Sequence, residues 1–274
     1  MKLTIGHTHD ADDAFMFYAM LNGRVPNPGL EIHDTIEPIS VLNEKADDAF
    51  YDMTAVSAAF LPRIADRYDL LTVGACMAED RGPVMVSRPG VELNNIAVPG
   101  IHTTACYAAR CYLRDALYIE FPYDKILAAV RDGEFDGGVI ITEEQTLLTD
   151  SGFEVVDLGA WWQEQFKLPL PLGVDVIRKS LPEETKRMMC GYFQASIRYA
   201  LEHETEALEY ALKFGRGIDP EKGLDFVKTF VNRYTVSLDD KGIESIRFFM
   251  AKCKQFGLIN EIPEISFIHP HILS

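Results

Sequence analysis

Basic residues are scarce in this chain: 26 Lys and Arg stand against 42 Asp and Glu, a formal net charge of −16 at pH 7. No run of Lys or Arg appears, which sets nucleic acid aside, because a phosphate backbone is held by clustered positive charge. Long apolar runs are missing too. No stretch approaches the roughly 18 residues that a membrane span needs, so a membrane partner is also excluded. The opening MKLTIGHTHDADD carries one Lys and then turns acidic, so no export signal is expected and the cytoplasm is the expected location. Cysteines number only 5 (Cys76, Cys106, Cys111, Cys190, Cys253), with no Cys-x-x-Cys pair, which argues against a disulfide framework. Cys106 and Cys111 do not share a helix face, so they read as small buried hydrophobes rather than metal ligands.

What is present is alternation. Leu3 to Gly6 reads as a strand, Asp12 to Leu21 as a helix, Leu30 to Ile36 as a strand, and Ile39 to Ala46 as a helix opened by Pro38. Met53 to Val56, a helix near Ala58 to Ala65, and strands at Leu70 to Val73 and Pro83 to Ser87 continue the series. A second unit follows Arg88-Pro89-Gly90: a strand at Ile96 to Val98, a helix at Thr103 to Leu113, a strand at Tyr118 to Phe121, a helix at Asp124 to Arg131, and a strand ending at Ile141. Leu172 to Ile177 reads as a strand returning to the first unit, and from Leu181 the apolar residues recur at helical spacing. Strand, helix, strand order predicts a mainly parallel α/β sheet. The expected plan is two-lobed: residues 1–88 and 178–274 in one lobe, 89–177 in the other, a ligand cleft between them, and a helical C-terminal region.

Three loops are expected at that cleft. Pro99-Gly100-Ile101-His102-Thr103-Thr104 follows a strand and opens a helix, where N–H groups and hydroxyls form a ready carboxylate site; an ordinary Thr-capped helix explains the same residues equally well. Ser57, just past a short strand, could add a hydroxyl or serve only as a cap. The first loop, His7-Thr8-His9-Asp10-Ala11-Asp12-Asp13, is the richest in ligand atoms: a His-x-His there opens many metal-dependent hydrolases, while Asp10 or Asp12 as a helix cap is the plainer account. Thr142 is the first polar side chain past a buried strand, where open α/β sheets put ligands, and Glu143 and Glu144 follow as a general base or a solvated pair. Of Trp161 and Trp162, one is expected to pack inward and the other to wall the cleft.

Taken together, ADDAFMFYAM (11–20), VLNEKA (41–46), AVSAAF (55–60), AVPGIHTTA (97–105), VVDLGAWW (155–162) and LPLPLG (168–173) are similar to the 1,4-dihydroxy-6-naphthoate synthase family of the futalosine route to menaquinone. The resemblance covers nearly the whole chain. It implies a periplasmic-binding-protein-like fold of type II, working as a cytoplasmic carbon–carbon lyase that opens cyclic dehypoxanthine futalosine into the dihydroxynaphthoate and a dihydroxyacetone fragment. It implies no metal and no organic cofactor, a small carboxylate as partner, and a homodimer as an allowed assembly. By position, Thr103 and Thr104 match the carboxylate-holding helix start, with His102 beside them; Ser57 matches a cleft-lining serine, and Asp13 an acid of the first loop.

The family's proposed base is a histidine in an Ile-Ile-His-Glu pattern, and here the chain reads Ile140-Ile141-Thr142-Glu143. A threonine hydroxyl has no pKa near neutrality and cannot replace imidazole as a base. His7 and His9 also stand where the family commonly has other residues. The catalytic candidates are therefore Thr142, at the family position, with His9 and Glu143 as relocated bases, and His102 a further group within expected reach. Two other readings stay open: a non-catalytic binding protein for a small carboxylate, and a metal-dependent hydrolase using His7 and His9.

Overall fold

The structure, a computed structural model, describes residues 1–141, 148, 151–214 and 219–271. The first stretch forms β1 (Lys2–His7), α1 (Ala11–Leu21), β2 (Glu31–Ile36), α2 (Ile39–Asp47), β3 (Met53–Ser57), a 3-10 turn at Ala58–Phe60 leading into α3 (Leu61–Ile64), β4 (Tyr68–Leu71) and β5 (Cys76–Ala78). Next come β6 (Val84–Ser87), β7 (Asn95–Val98), α4 (Thr104–Tyr112), β8 (Leu117–Glu120), a 3-10 turn at Tyr123–Lys125, α5 (Ile126–Asp132), β9 (Gly137–Ile140), β10 (Glu154–Asp157) and α6 (Leu158–Phe166). The chain ends with β11 (Leu170–Arg178), α7 (Glu183–Glu202), α8 (Glu204–Ala211), α9 (Pro220–Phe230), α10 (Arg233–Val236), α11 (Asp240–Gln255) and β12 (Phe267–Ile268).

Among the described residues these strands make two sheets. One has seven strands in the order β12-β4-β11-β3-β1-β2, with β5 also on β11; the other has five, in the order β10-β6-β9-β7-β8. Two expectations need correction. The bounds at 88 and 178 cut across the sheets: Val84–Ser87, placed in the first lobe, pairs as β6 with β9 and β10, while β11, read as a strand returning to the first unit, pairs with β3, β4 and β5. Periodicity marks a strand without marking its partner, so the crossings between sheets fall before β6 and before β11. The sheets are also mixed rather than mainly parallel. β1, β2 and β3 are parallel, but β11 arrives from the second sheet and inserts between β3 and β4 running antiparallel to both.

Burial follows from this layering. β3 is buried along its whole length, as a central strand covered on both faces must be, and it accordingly reads as MTAVS without charge. In the five-stranded sheet the period of two divides the core: Val84, Val86 and Ala97 pack with Ile126 and Val130 of α5, whereas Met85, Ile96 and Val98 join the main core. α1 is buried from Ala11 to Met20, and a helix apolar nearly all round is a core helix. Its first turn carries Asp12 and Asp13, where the helix dipole favours negative charge, and its N-cap Asp10 makes no side-chain cap hydrogen bond. Trp162 is completely buried and meets Phe166 and Phe249 at 4.6 and 5.6 Å between ring centroids. Trp161 packs edge-on to Tyr112 at 5.3 Å, and neither tryptophan lines the cavity described below, so the expected aromatic cleft wall is instead core packing. The five cysteines are free thiols, four of them buried, and burial pushes the Cys106 and Cys111 thiols up to about 12.

Candidate functional site

A cavity enclosing about 730 Å³ of empty space, part of it open solvent, is lined by residues of both sheets and of the helix starts beside them. One wall is the start of α4. Thr103 is its N-cap, in extended backbone, and its Oγ1 accepts a hydrogen bond from Cys106 N–H at 3.2 Å while donating to the Gly100 carbonyl at 2.8 Å. Thr104 Oγ1 donates to the Leu172 carbonyl at 2.8 Å and accepts from Ala59 N–H at 3.1 Å. Both hydroxyls expected to face a ligand are thus committed inside the protein. Thr104 instead ties α4 to β11 and to the turn after β3. What the wall offers is backbone: the first N–H groups of a helix have no acceptor within it, and Thr104 and Ala105, both buried, line the cavity at that point.

Ser57 stands across from this turn at the end of β3, 3% exposed. Asn43 of α2 holds it from both sides: Asn43 Nδ2–H donates to Ser57 Oγ at 3.1 Å, and Ser57 N–H donates to Asn43 Oδ1 at 2.9 Å. With its oxygen accepting from Asn43, the hydroxyl keeps its own hydrogen to donate. Asn43 is a positioning residue within the VLNEKA segment; a polar residue 2% exposed in the middle of a helix is the signal that would have found it.

The other wall is acidic. Asp12 and Asp13 from α1 line the cavity, with Asp13 Oδ2 accepting Thr8 N–H at 2.8 Å. Asp175 of β11 lines it as well, 1% exposed, and its Oδ1 has no hydrogen-bond partner among the described residues. Burial first, then the charges of Asp13 and Asp12, push the Asp175 carboxyl well above the ordinary carboxylate range. Burial and the same two aspartates also push the Cys76 thiol well up. Apolar periodicity marks this strand and passes over Asp175; a lone Asp in Leu172-Gly173-Val174-Asp175-Val176-Ile177 is the anomaly that marks it, since an unpaired buried charge is costly.

The histidines diverge. His7 is 2% exposed, stacks on Phe17 with centroids 4.6 Å apart, and points its Nδ1 at the Thr8 carbonyl at 2.8 Å. His9 meets Tyr123 of the second sheet's connections, with 3.2 Å between Nε2 and the phenol oxygen. Among the described residues no group of three or more His, Cys, Asp or Glu side chains is placed to hold a metal ion. The hydrolase reading needed His7 and His9 to converge, and the stacking of His7 into the core takes it away from that role. His102 does not line the cavity either: it is solvent-exposed, packs edge-on to Phe60 at 6.0 Å, and has its pKa lowered by burial of the ring and by the nearby Arg63 charge. Thr142 and Glu143 lie outside the described residues; Ile141, immediately before them, lines the cavity. Asp13, Ser57, Thr103 and Thr104 thus line the cavity together, and His9 and His102 do not line it.

Two sheets joined by crossing strands, with a cavity at the helix starts between them, define a two-lobed binding fold. A Candida albicans protein described as exhibiting the generic periplasmic binding protein structural fold superposes with a TM-score of 0.74 at 13% identity, covering 100% of this chain and 99% of its own, which shows the fold alone. The chain belongs to the menaquinone biosynthesis family, whose model matches residues 3–255. It is 33% identical over 270 residues to the 1,4-dihydroxy-6-naphthoate synthase of Thermus thermophilus, covering 97% of this chain and 99% of that one. A solved Archaeoglobus fulgidus protein is 40% identical, with a TM-score of 0.90 over 94% of this chain and 98% of its own. Among the described residues, no helix is long and apolar enough to cross a membrane.

Proposed function

We propose that this chain is a cytoplasmic enzyme of menaquinone biosynthesis that binds a small carboxylate and cleaves a carbon–carbon bond, on cyclic dehypoxanthine futalosine or a close analogue of it. The observation that carries this reading is the α4 wall: the helix-start N–H groups of Thr104 and Ala105, which have no acceptor within the helix, beside a Ser57 hydroxyl that Asn43 leaves free to donate. Helix-start N–H groups and a donor hydroxyl match the two oxygens of a carboxylate, and the dipole of α4 adds to the attraction. Cleavage then needs a base to take a proton from the held substrate so that bond breaking and aromatisation can follow. Thr142 cannot do this. His9 is the imidazole in the first loop, flanked by the lining residues Thr8 and Asp10, and it fills the role in this reading.

Purified protein given cyclic dehypoxanthine futalosine is expected to release a naphthoate chromophore, with kcat falling at least about a hundredfold in His9→Gln, the typical worth of a general base. Absence of product across pH 6–9 from protein that binds the substrate would sink the enzyme reading. It would favour a binding protein for the same acid, the reading that the replacement of the family histidine by Thr142 supports. In that case Thr142→His is the variant in which turnover should appear.

A further inference from the structure

The acidic wall holds a donor with nothing to donate to. Asp175 sits in the middle of β11, registered opposite Ala55 of β3, with Oδ1 buried and without a partner among the described residues. Room for its carboxyl comes from Gly74: a Cβ there would lie 2.2 Å from Asp175 Oδ2 and 2.5 Å from Phe193 Cε1. A side chain so enclosed, beside Asp12 and Asp13 of α1, is far more stable with its proton than without it. A protonated carboxyl carries one O–H donor, and a buried donor left unsatisfied is costly, so its acceptor is to be sought in what fills the cavity. That acceptor is neutral: a second carboxylate here would meet the Asp12 and Asp13 side chains, whereas a hydroxyl or carbonyl oxygen accepts without adding charge.

We propose that Asp175 is a specificity-determining, substrate-binding residue that donates its O–H to a neutral hydroxyl or carbonyl oxygen of the ligand, so that the cavity selects hydroxylated carboxylates and fixes their direction. The carboxylate end lies at α4 and the hydroxylated end at β11. This rests on the reading of the α4 start as the carboxylate site. It adds what that reading lacks, a reason for one orientation of a long substrate over its reverse.

Two probes separate the ends: quinate, a ring carboxylate bearing hydroxyls, and cyclohexanecarboxylate, the same ring and carboxylate without them. By titration calorimetry on the full chain, quinate is expected to bind about tenfold tighter, the worth of one hydrogen bond to a buried donor. Asp175→Leu is expected to abolish that preference while binding cyclohexanecarboxylate as the unaltered protein does, which also shows that the variant is folded. Asp175→Asn, which keeps an N–H donor in the same shape, is expected to keep the preference within about threefold. The proposal is overturned if the unaltered protein does not distinguish the probes, whether both bind or neither does, or if Asp175→Asn loses the preference as completely as Asp175→Leu. Loss of the preference in a protein that still turns over cyclic dehypoxanthine futalosine would leave the enzyme reading standing, and a preserved preference without turnover would leave this one standing.

Discussion

The two walls of the cavity solve the same problem, holding polar groups out of water, in opposite ways. At α4 the charge is only partial: Thr103 and Thr104 spend their hydroxyls on Gly100, Leu172, Ala59 and Cys106, and the residual attraction comes from N–H groups fixed by the helix. At β11 and α1 the groups are ionisable, and Asp175 is held there by burial and by its acidic neighbours in a form unlike that of an ordinary surface carboxyl. The difference teaches that one wall attracts anions at any pH, while the other presents a donor only as long as its proton stays on.

Glycines at the two walls give the sharpest way to break this comparison. Gly74 has φ +81° and no room for a Cβ against Asp175 and Phe193, so Gly74→Ala is expected to cost roughly 2–4 kcal/mol in urea unfolding, from strain and overpacking together. At the α4 wall a Cβ on Gly100 would meet Thr103 Cγ2 at 3.0 Å and Ser40 Cβ at 3.4 Å, contacts that small shifts relieve. Gly100→Ala is therefore expected to cost only about 1 kcal/mol in the same assay. Equal losses at the two positions would mean that the acid wall is not the tighter one.

Next in size is Thr104→Val. It keeps the shape but leaves Ala59 N–H and the Leu172 carbonyl unpaired, for an expected loss of about 1–3 kcal/mol, seen as a lower urea midpoint with unchanged slope. A loss of carboxylate affinity with full stability would instead give the hydroxyl to the ligand.

The gentlest effect is one of pH. A carboxyl whose folded pKa is raised holds its proton more tightly in the native state than in the unfolded chain, so its contribution to stability falls as pH rises from its ordinary value of 3.8 toward the folded one. Burial sets this first, then the charges of Asp13 and Asp12 of α1, and Asp175 in turn adds to the rise of the Cys190 thiol of α7. Asp175→Asn is expected to remove that decline, so the variant gains on the unaltered protein as pH rises above 3.8, and thermal melts across pH 4–8 would show it. Parallel melting curves would mean that Asp175 carries no excess proton.

Much of the fold was legible because burial imposes a period on the chain. β1, α1, β3, α4 and β11 each fell within a few residues of their expected spans, since a central strand reads as an apolar run and a core helix as a repeating apolar face. β5 and β12 were not legible: they are three and two residues long, too short to carry any period. The rule that ligands gather at strand ends and helix starts pointed to Asp13, Ser57, Thr103 and Thr104, and all four line the cavity. His102 satisfied the same rule and still fell outside the cavity, because being next to a cap does not decide which way a ring turns.

By itself the sequence determined the alternation of strands and helices and the family, because both are properties of residue type and order. Only the tertiary structure decided which sheet β6 joins, that the Thr103 and Thr104 hydroxyls serve the protein rather than a ligand, and that Asp175 faces a cavity beside Asp12 and Asp13. The physical reason is range. Period and propensity act over a few neighbouring residues, whereas the Thr104–Leu172 bond spans 68 positions, and the meeting of Asp175 with the start of α1 spans still more.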